Sequence, residues 1–200
     1  MQLMTLLHQS ASSIEVRLAN DLSLNLVLFS FVFSVIAYWL SNFQPTGTAF
    51  FSWIMWLFLD LVAAESLVVL VSSLFPNFVV ALALTAFANG LWMSVGGFLV
   101  TPKLLNVFYR YVFSYIDYQR YVFQGMMINE FSHRTYSCGP PPCVCMYQTE
   151  LAPQCEIAGQ GVLDVYGYKT GKTGEWVGIL LGIVLGYRLL GYLVLWIKKN

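Results

Sequence analysis

Three charged side chains fall inside apolar stretches, where charge is expensive. Asp60 and Glu65 lie in one such stretch and Arg188 in another. Near the centre of a bilayer each carboxylate costs roughly 2.5–3.5 kcal/mol, so it needs a partner or a task. Five positions at ~100° per residue turn Asp60 and Glu65 about 140° away from each other. They are therefore not one two-carboxylate site. Each is expected to face the bundle interior and find a polar partner, with Arg188 the opposite charge within the spans. A direct role in transport is the sharper alternative.

Cysteine chemistry is confined to one short segment, with Cys138, Cys143, Cys145 and Cys155. Four cysteines allow three connectivities. Bonding Cys143 to Cys145 would close a tight, strained ring, which disfavours that one. A metal centre is a poor fit, because C-x4-C-x-C lacks the paired C-x2-C spacing of zinc ligands. Disulfides are the expected state. Gly171-Lys172-Thr173 resembles the end of a phosphate-binding loop, yet Gly167 leaves only three residues before the Gly-Lys pair where four are needed. A flexible loop is the expectation there. No catalytic Ser-His-Asp or Cys-His set can be assembled, since His8 and His133 fall on opposite membrane sides in the topology below.

The elements that must position these groups follow from hydropathy. The chain has 200 residues, 58% hydrophobic and 10% charged, with formal net charge zero. A soluble domain carries about 25% charged residues, so this surface is not built for water. Zero net charge gives no footprint for nucleic acid. Four stretches approach or exceed the ~20 residues that cross a bilayer: Leu22 to Leu40, Ala49 to Leu74, Phe78 to Val100 and Trp176 to Ile197. The predicted fold is an all-α membrane protein of about four transmembrane helices. Lys198-Lys199 favours a cytoplasmic C-terminus. Four spans then put both ends inside and Thr101 to Glu175 outside, where disulfides persist. The predicted division is a cytoplasmic loop or coupling segment at 1–21, three helices over 22–100, an outer segment at 101–175, and a last helix with a short tail at 176–200.

Within the outer segment, Lys103, Arg110, Asp117 and Gln124 recur every seven residues among aromatics. That spacing predicts one interfacial or re-entrant helix with a polar stripe from Lys103 to Phe131. Ser132 to Gly174 then reads as a cysteine-rich cap. Gly174, Gly178, Gly182 and Gly186 predict a flat face for close packing on another helix. Asn89 is either an interhelical hydrogen bond or part of a polar lining.

Several short elements, in order, resemble the membrane domain of the G family of ABC transporters, the White-type exporters. Tyr38-Trp39-Leu40 with Phe43, Pro45 and Ala49-Phe50-Phe51 is similar to that family's third and fourth helices and their turn. Ala81 and Gly97-Phe98-Leu99-Val100 are similar to its fifth helix. Tyr115, Arg120, Tyr121 and Asn129-Glu130-Phe131 resemble the Tyr-x-Ser-Pro-x-x-Tyr and Asn-Glu-Phe elements that follow. Gly161-Val162-Leu163, Tyr166-Gly167 and Trp176 match the approach to the sixth helix. Cys145-Met146-Tyr147 and the run Val162 to Tyr168 look most like fungal members. The proline expected beside Tyr115 is missing, within Ile116-Asp117-Tyr118-Gln119.

The resemblance implies a transmembrane portion of an exporter of lipid-like or amphipathic molecules. It implies that the ATP and Mg chemistry belongs to a nucleotide-binding domain outside these residues, along with the family's first two helices, so the chain is not an enzyme by itself. It implies partners: that domain, membrane lipids, and a second half-transporter as homo- or heterodimer. It places the chain in the plasma membrane or an organelle membrane. It assigns Asn89, Gly90 and Met93 to a cavity lining, and Phe98 and Leu99 to an apolar plug between two halves. It matches Cys138 and Cys155 to a loop-closing disulfide, leaving Cys143 or Cys145 to bridge subunits. The rival class is a tetraspanin-like scaffold, also with four spans and a cysteine-rich loop, but its Cys-Cys-Gly triplet is absent.

Overall fold

A computed structural model describes residues 25–199, apart from 102, 141 and 148. The expected coupling segment and the start of the first span lie outside the described residues. From Asn25 to Leu40 the chain is an apolar helix, α1. It stops at Ser41-Asn42, where Asn42 takes a left-handed backbone (φ 51). Asparagine tolerates that region because its side chain can hydrogen-bond locally. Pro45 follows, and α2 runs over Gly47–Leu74. Its 28 residues span about 42 Å, more than a hydrocarbon core of about 30 Å. Phe75-Pro76-Asn77 breaks the helix. Asn77 then caps α3, Phe78–Val95, by accepting the Val79 N–H at 3.1 Å.

The helix α3 ends five residues earlier than hydropathy alone predicts. Gly97 adopts φ 100 and turns the chain out of the helix. Phe98, Leu99 and Val100 are therefore irregular, not helical.

The single striped helix predicted over Lys103 to Phe131 is also corrected. A π-helical turn, Tyr109–Phe113, and a short α-turn, Ser114–Ile116, end at Asp117, whose backbone is extended. A second helix, α4, covers Tyr118–Phe131. Asp117 is the cap of α4, with Oδ1 accepting the Gln119 N–H at 2.9 Å. Asp117 and Gln124 are buried, so they are not an exposed stripe. The break falls beside the position where the resemblance expects proline, and a carboxylate cap makes it here.

After α4, β1 (Thr135–Ser137) pairs antiparallel with β2 (Glu156–Ala158), Tyr136 opposite Ile157. A short helix α5 (Gly159–Tyr166) and a turn at Gly167 (φ 77) lead to α6, Thr173–Lys199. Among the described residues α2, α3 and α6 are long and apolar enough to cross a membrane.

The core lies where α2 meets α4 and α6. Trp56, Leu59, Ala63 and Leu67 form one face of α2 at helical spacing. Tyr118, Tyr121 and Val122 of α4 and Trp176, Leu180 and Val184 of α6 cover it. A methyl group on Gly125 would sit 2.1 Å from the Trp56 ring, so glycine there lets α4 lie on the indole. The predicted packing role of the glycine row at 174, 178, 182 and 186 is not seen within this chain. Nothing described lies within 4 Å of where their Cβ atoms would be. The packed face of α6 is Trp176-Leu180-Val184 instead, a different side of the same helix.

Candidate functional site

The C-terminal end of α3 and the turn after it carry the predicted path residues, and two clefts meet there. The inner cleft, about 290 Å³, lies between α2, the end of α3 and α4. Trp53, Leu57 and Asp60 come from α2, Trp92 and Met93 from α3, and Gln119, Val122 and Phe123 from α4. The second cleft, about 500 Å³, lies against the α1–α2 turn, α4 and β1. Its walls include Phe43, Met127 and Phe131. Trp53, Phe98, Phe123 and Met126 line both. Phe98 and Phe123 stand edge to face, with ring centroids 5.8 Å apart, a favoured aromatic geometry. An aromatic pair thus lies on the boundary between the two clefts.

Gly96 makes this arrangement possible. A Cβ on it would lie 2.9 Å from the Asp117 carboxylate and 3.2 Å from the Arg120 nitrogen. Glycine therefore lets the start of α4 sit on the end of α3. Arg120 reaches back, donating to the Ser114 carbonyl at 3.1 Å and to the Ser114 hydroxyl, and lies 5.5 Å from the Tyr115 ring centre.

The predicted path residues separate. Met93 and Phe98 line the inner cleft. Asn89 does not line it: its Oδ1 accepts the Tyr118 hydroxyl at 2.7 Å, tying α3 to α4. Gly90 lines a different groove, with Phe87, Ser94 and Tyr109. Leu99 is 63% exposed and does not join Phe98 on the cleft boundary.

The intramembrane charges separate as well. Glu65 meets Arg188 at 3.3 Å, and Arg188 Nε donates to Ser66 Oγ at 3.2 Å. Asp60 takes no part. Its Oδ1 is buried and has no donor among the described residues. Lys198 donates to the carbonyls of Ser73 and Leu74 at 2.7 and 2.9 Å, closing the C-terminus of α2. A cation suits that end of a helix.

Above the clefts, Asn129-Glu130 ties three segments together. Asn129 donates to the Ala49 carbonyl at 2.9 Å. Glu130 Oε2 accepts the Gln44 N–H at 2.9 Å, and Oε1 accepts Arg134 at 2.5 Å and the Tyr136 hydroxyl at 2.9 Å. Burial first, then the Glu130 hydrogen bond, pushes the Tyr136 phenol above its ordinary value, so it remains a donor. The α1–α2 turn, α4 and the hairpin share this one carboxylate. Trp53, Trp92 and Phe123 were not singled out by sequence, where aromatics in apolar segments carry no mark of their own. The Asn-Glu-Phe element was the available signal for Glu130.

All four cysteines are bonded: Cys138 with Cys145 and Cys143 with Cys155. This corrects the Cys138–Cys155 pairing and the free bridging thiol. Cys138 and Cys155 are neighbours through a backbone hydrogen bond of 2.8 Å, but each sulfur turns to the intervening loop. Among the described residues no cluster of His, Cys, Asp or Glu could hold a metal ion.

Residues 21–131 match the family model described as ABC-2 type transporter. ABC transporter G family member 8 of Arabidopsis thaliana is 26% identical over 197 residues, 95% of this chain and 32% of that protein. ABC transporter G family member 11 of Arabidopsis thaliana is 24% identical, over 92% of this chain and 25% of that protein. ABC transporter G family member 1 of Petunia hybrida is 29% identical, over 88% and 26% respectively. The chain thus spans about a quarter to a third of the length of these curated relatives. They are plant proteins, and the fungal likeness finds no support in them. The homology runs past the matched segment and through the cysteine loop to α6. With its spanning helices it makes this a multi-pass integral membrane protein, and the chain belongs to the ABC-2 type transporter family.

Proposed function

We propose that this chain is the substrate-path portion of an ABC-type exporter that moves amphipathic or lipid-like molecules. ATP and Mg act on a nucleotide-binding domain of the G-family kind, and a second half-transporter completes the assembly. The observation that carries this reading is the ABC-2 match over residues 21–131, extended by G-family homology over 95% of the chain. Those relatives are named as transporters, and a membrane domain of this family moves cargo without hydrolysing nucleotide itself.

The geometry suggests how. An apolar constriction excludes water and ions yet parts without breaking hydrogen bonds. Phe98 and Phe123 fit that description, since their contact is between two rings. This moves the plug from the predicted Phe98-Leu99 pair to a contact inside one chain. Outside the membrane the disulfide-bonded loop and the Glu130 cluster hold the mouth of the path in shape. The intact transporter carrying this chain should show ATPase activity stimulated by amphipathic compounds, and this stimulation should change in Phe98→Ala while surface expression does not. ATPase activity unmoved by every amphiphile tried, with the protein correctly inserted, would refute the reading.

A further inference from the structure

The inner cleft holds a carboxylate, Asp60, to which no described residue donates a hydrogen bond. Asp60 sits midway along α2, with 13 residues of helix before it and 14 after. Arg188 bonds Glu65 and Ser66, Arg120 bonds Ser114 and Arg134 bonds Glu130, and none of these bonds reaches Asp60. Oδ1 is buried without a donor, a costly state unless a partner arrives. The side chain lines a cleft of about 290 Å³ whose other walls include Trp53, Trp92, Phe98 and Phe123. Aromatic faces attract a cation that lacks hydrogen-bond donors, and a desolvated carboxylate attracts it by charge. A neutral apolar molecule would fill the same space but leave the carboxylate alone.

We infer that the inner cleft is a binding site for the quaternary or tertiary ammonium end of an amphipathic molecule, with Asp60 as counter-ion and the aromatic walls around the cationic group. The apolar remainder of such a molecule has room beyond Phe98 in the second cleft, which shares four wall residues with the first. This inference names a substrate class for the transport reading and rests on it for its biological meaning. The binding itself needs neither ATP nor transport. A transporter that proves inactive on amphiphiles would leave the site standing, and an empty site would leave the transport reading standing.

The test uses the purified chain in lipid nanodiscs and radiolabelled phenyltrimethylammonium. Its competitor, tert-butylbenzene, has the same shape without the charge. The cation should bind saturably and about tenfold more tightly than the neutral isostere, since each ~1.4 kcal/mol of selective attraction is tenfold. Asp60→Asn should erase that preference. Asp60→Glu should keep most of it, and Glu65→Gln should leave it intact because Glu65 faces Arg188 outside the cleft. No saturable binding by the unaltered chain, or equal affinity for cation and isostere, would overturn the proposal whether or not any variant folds. Retention of the preference in Asp60→Asn, or its loss in Glu65→Gln, would do the same.

Discussion

Glu65 and Arg188 show how little one contact says until its surroundings are known. The pair is 3.3 Å apart, with the Arg188 side chain about half exposed and Glu65 one-fifth exposed. In water such a pair would be worth little. In hydrocarbon the comparison is with a lone charge, which costs roughly 2.5–3.5 kcal/mol near a helix centre. Glu65→Leu or Arg188→Leu alone should therefore destabilise the chain by about 2–3 kcal/mol. The double replacement should recover much of that loss, because no charge is left unpaired. Thermal unfolding of the four proteins in one detergent decides it, and additive losses would rule out the pairing. The opposite charges were visible in the sequence, but the choice of Glu65 over Asp60 was not. That choice depends on how α2 and α6 are rotated against each other. Glu130 makes a second residue-scale prediction. Its carboxylate accepts three hydrogen bonds, from the Gln44 backbone N–H, Arg134 and the Tyr136 hydroxyl, and Arg134 also holds the Asn42 carbonyl. Three distinct donors lose their acceptor in Glu130→Ala, which should cost about 3–5 kcal/mol. A melting temperature equal to that of the unaltered chain would show that the cluster is dispensable.

At the scale of elements, glycines divide into those that are touched and those that are not. Gly125 lies against Trp56, where a methyl group has no room. Gly125→Ala should destabilise by about 1–3 kcal/mol as the core is overpacked. Gly178→Ala and Gly182→Ala meet nothing in this chain and should be neutral or stabilising by about 0.5–1 kcal/mol through helix propensity. Unfolding of the three single variants, measured side by side, tests the assignment; equal effects would contradict it. The long apolar stretches made α2, α3 and α6 legible because hydropathy is a local property of sequence. The break at Asp117 was not legible. Polar residues seven apart mimic an amphipathic helix, and an aspartate that caps looks the same in sequence as one on a wet face. Likewise the repeated glycine spacing pointed to packing, while the helix rotates that face away from its own chain. Gly125, alone in α4, carried no pattern that would have revealed its contact.

For the whole molecule, the resemblance supplied the expected assembly, and the structure supplies the wiring within this chain. Disulfide connectivity was out of reach of sequence, since it depends on the course of the loop between β1 and β2. Peptide mapping without reduction should recover Cys138 linked to Cys145 and Cys143 to Cys155; a Cys138–Cys155 linkage would contradict the loop. The Phe98–Phe123 contact joins residues that are distant in sequence, and only the packing of α4 beneath Gly96 brings them together. That contact is the centre of the transport account, and a bridge across it is the most direct test. In the intact transporter, Phe98→Cys with Phe123→Cys can be linked by a short bifunctional thiol reagent, the native cysteines being already bonded. ATP-driven uptake of a fluorescent amphiphile into inside-out vesicles should fall to background in the linked double variant. A reducible linker should restore it on cleavage, and either single variant should keep transporting. Full uptake by protein shown to be linked would place the path elsewhere and contradict the account.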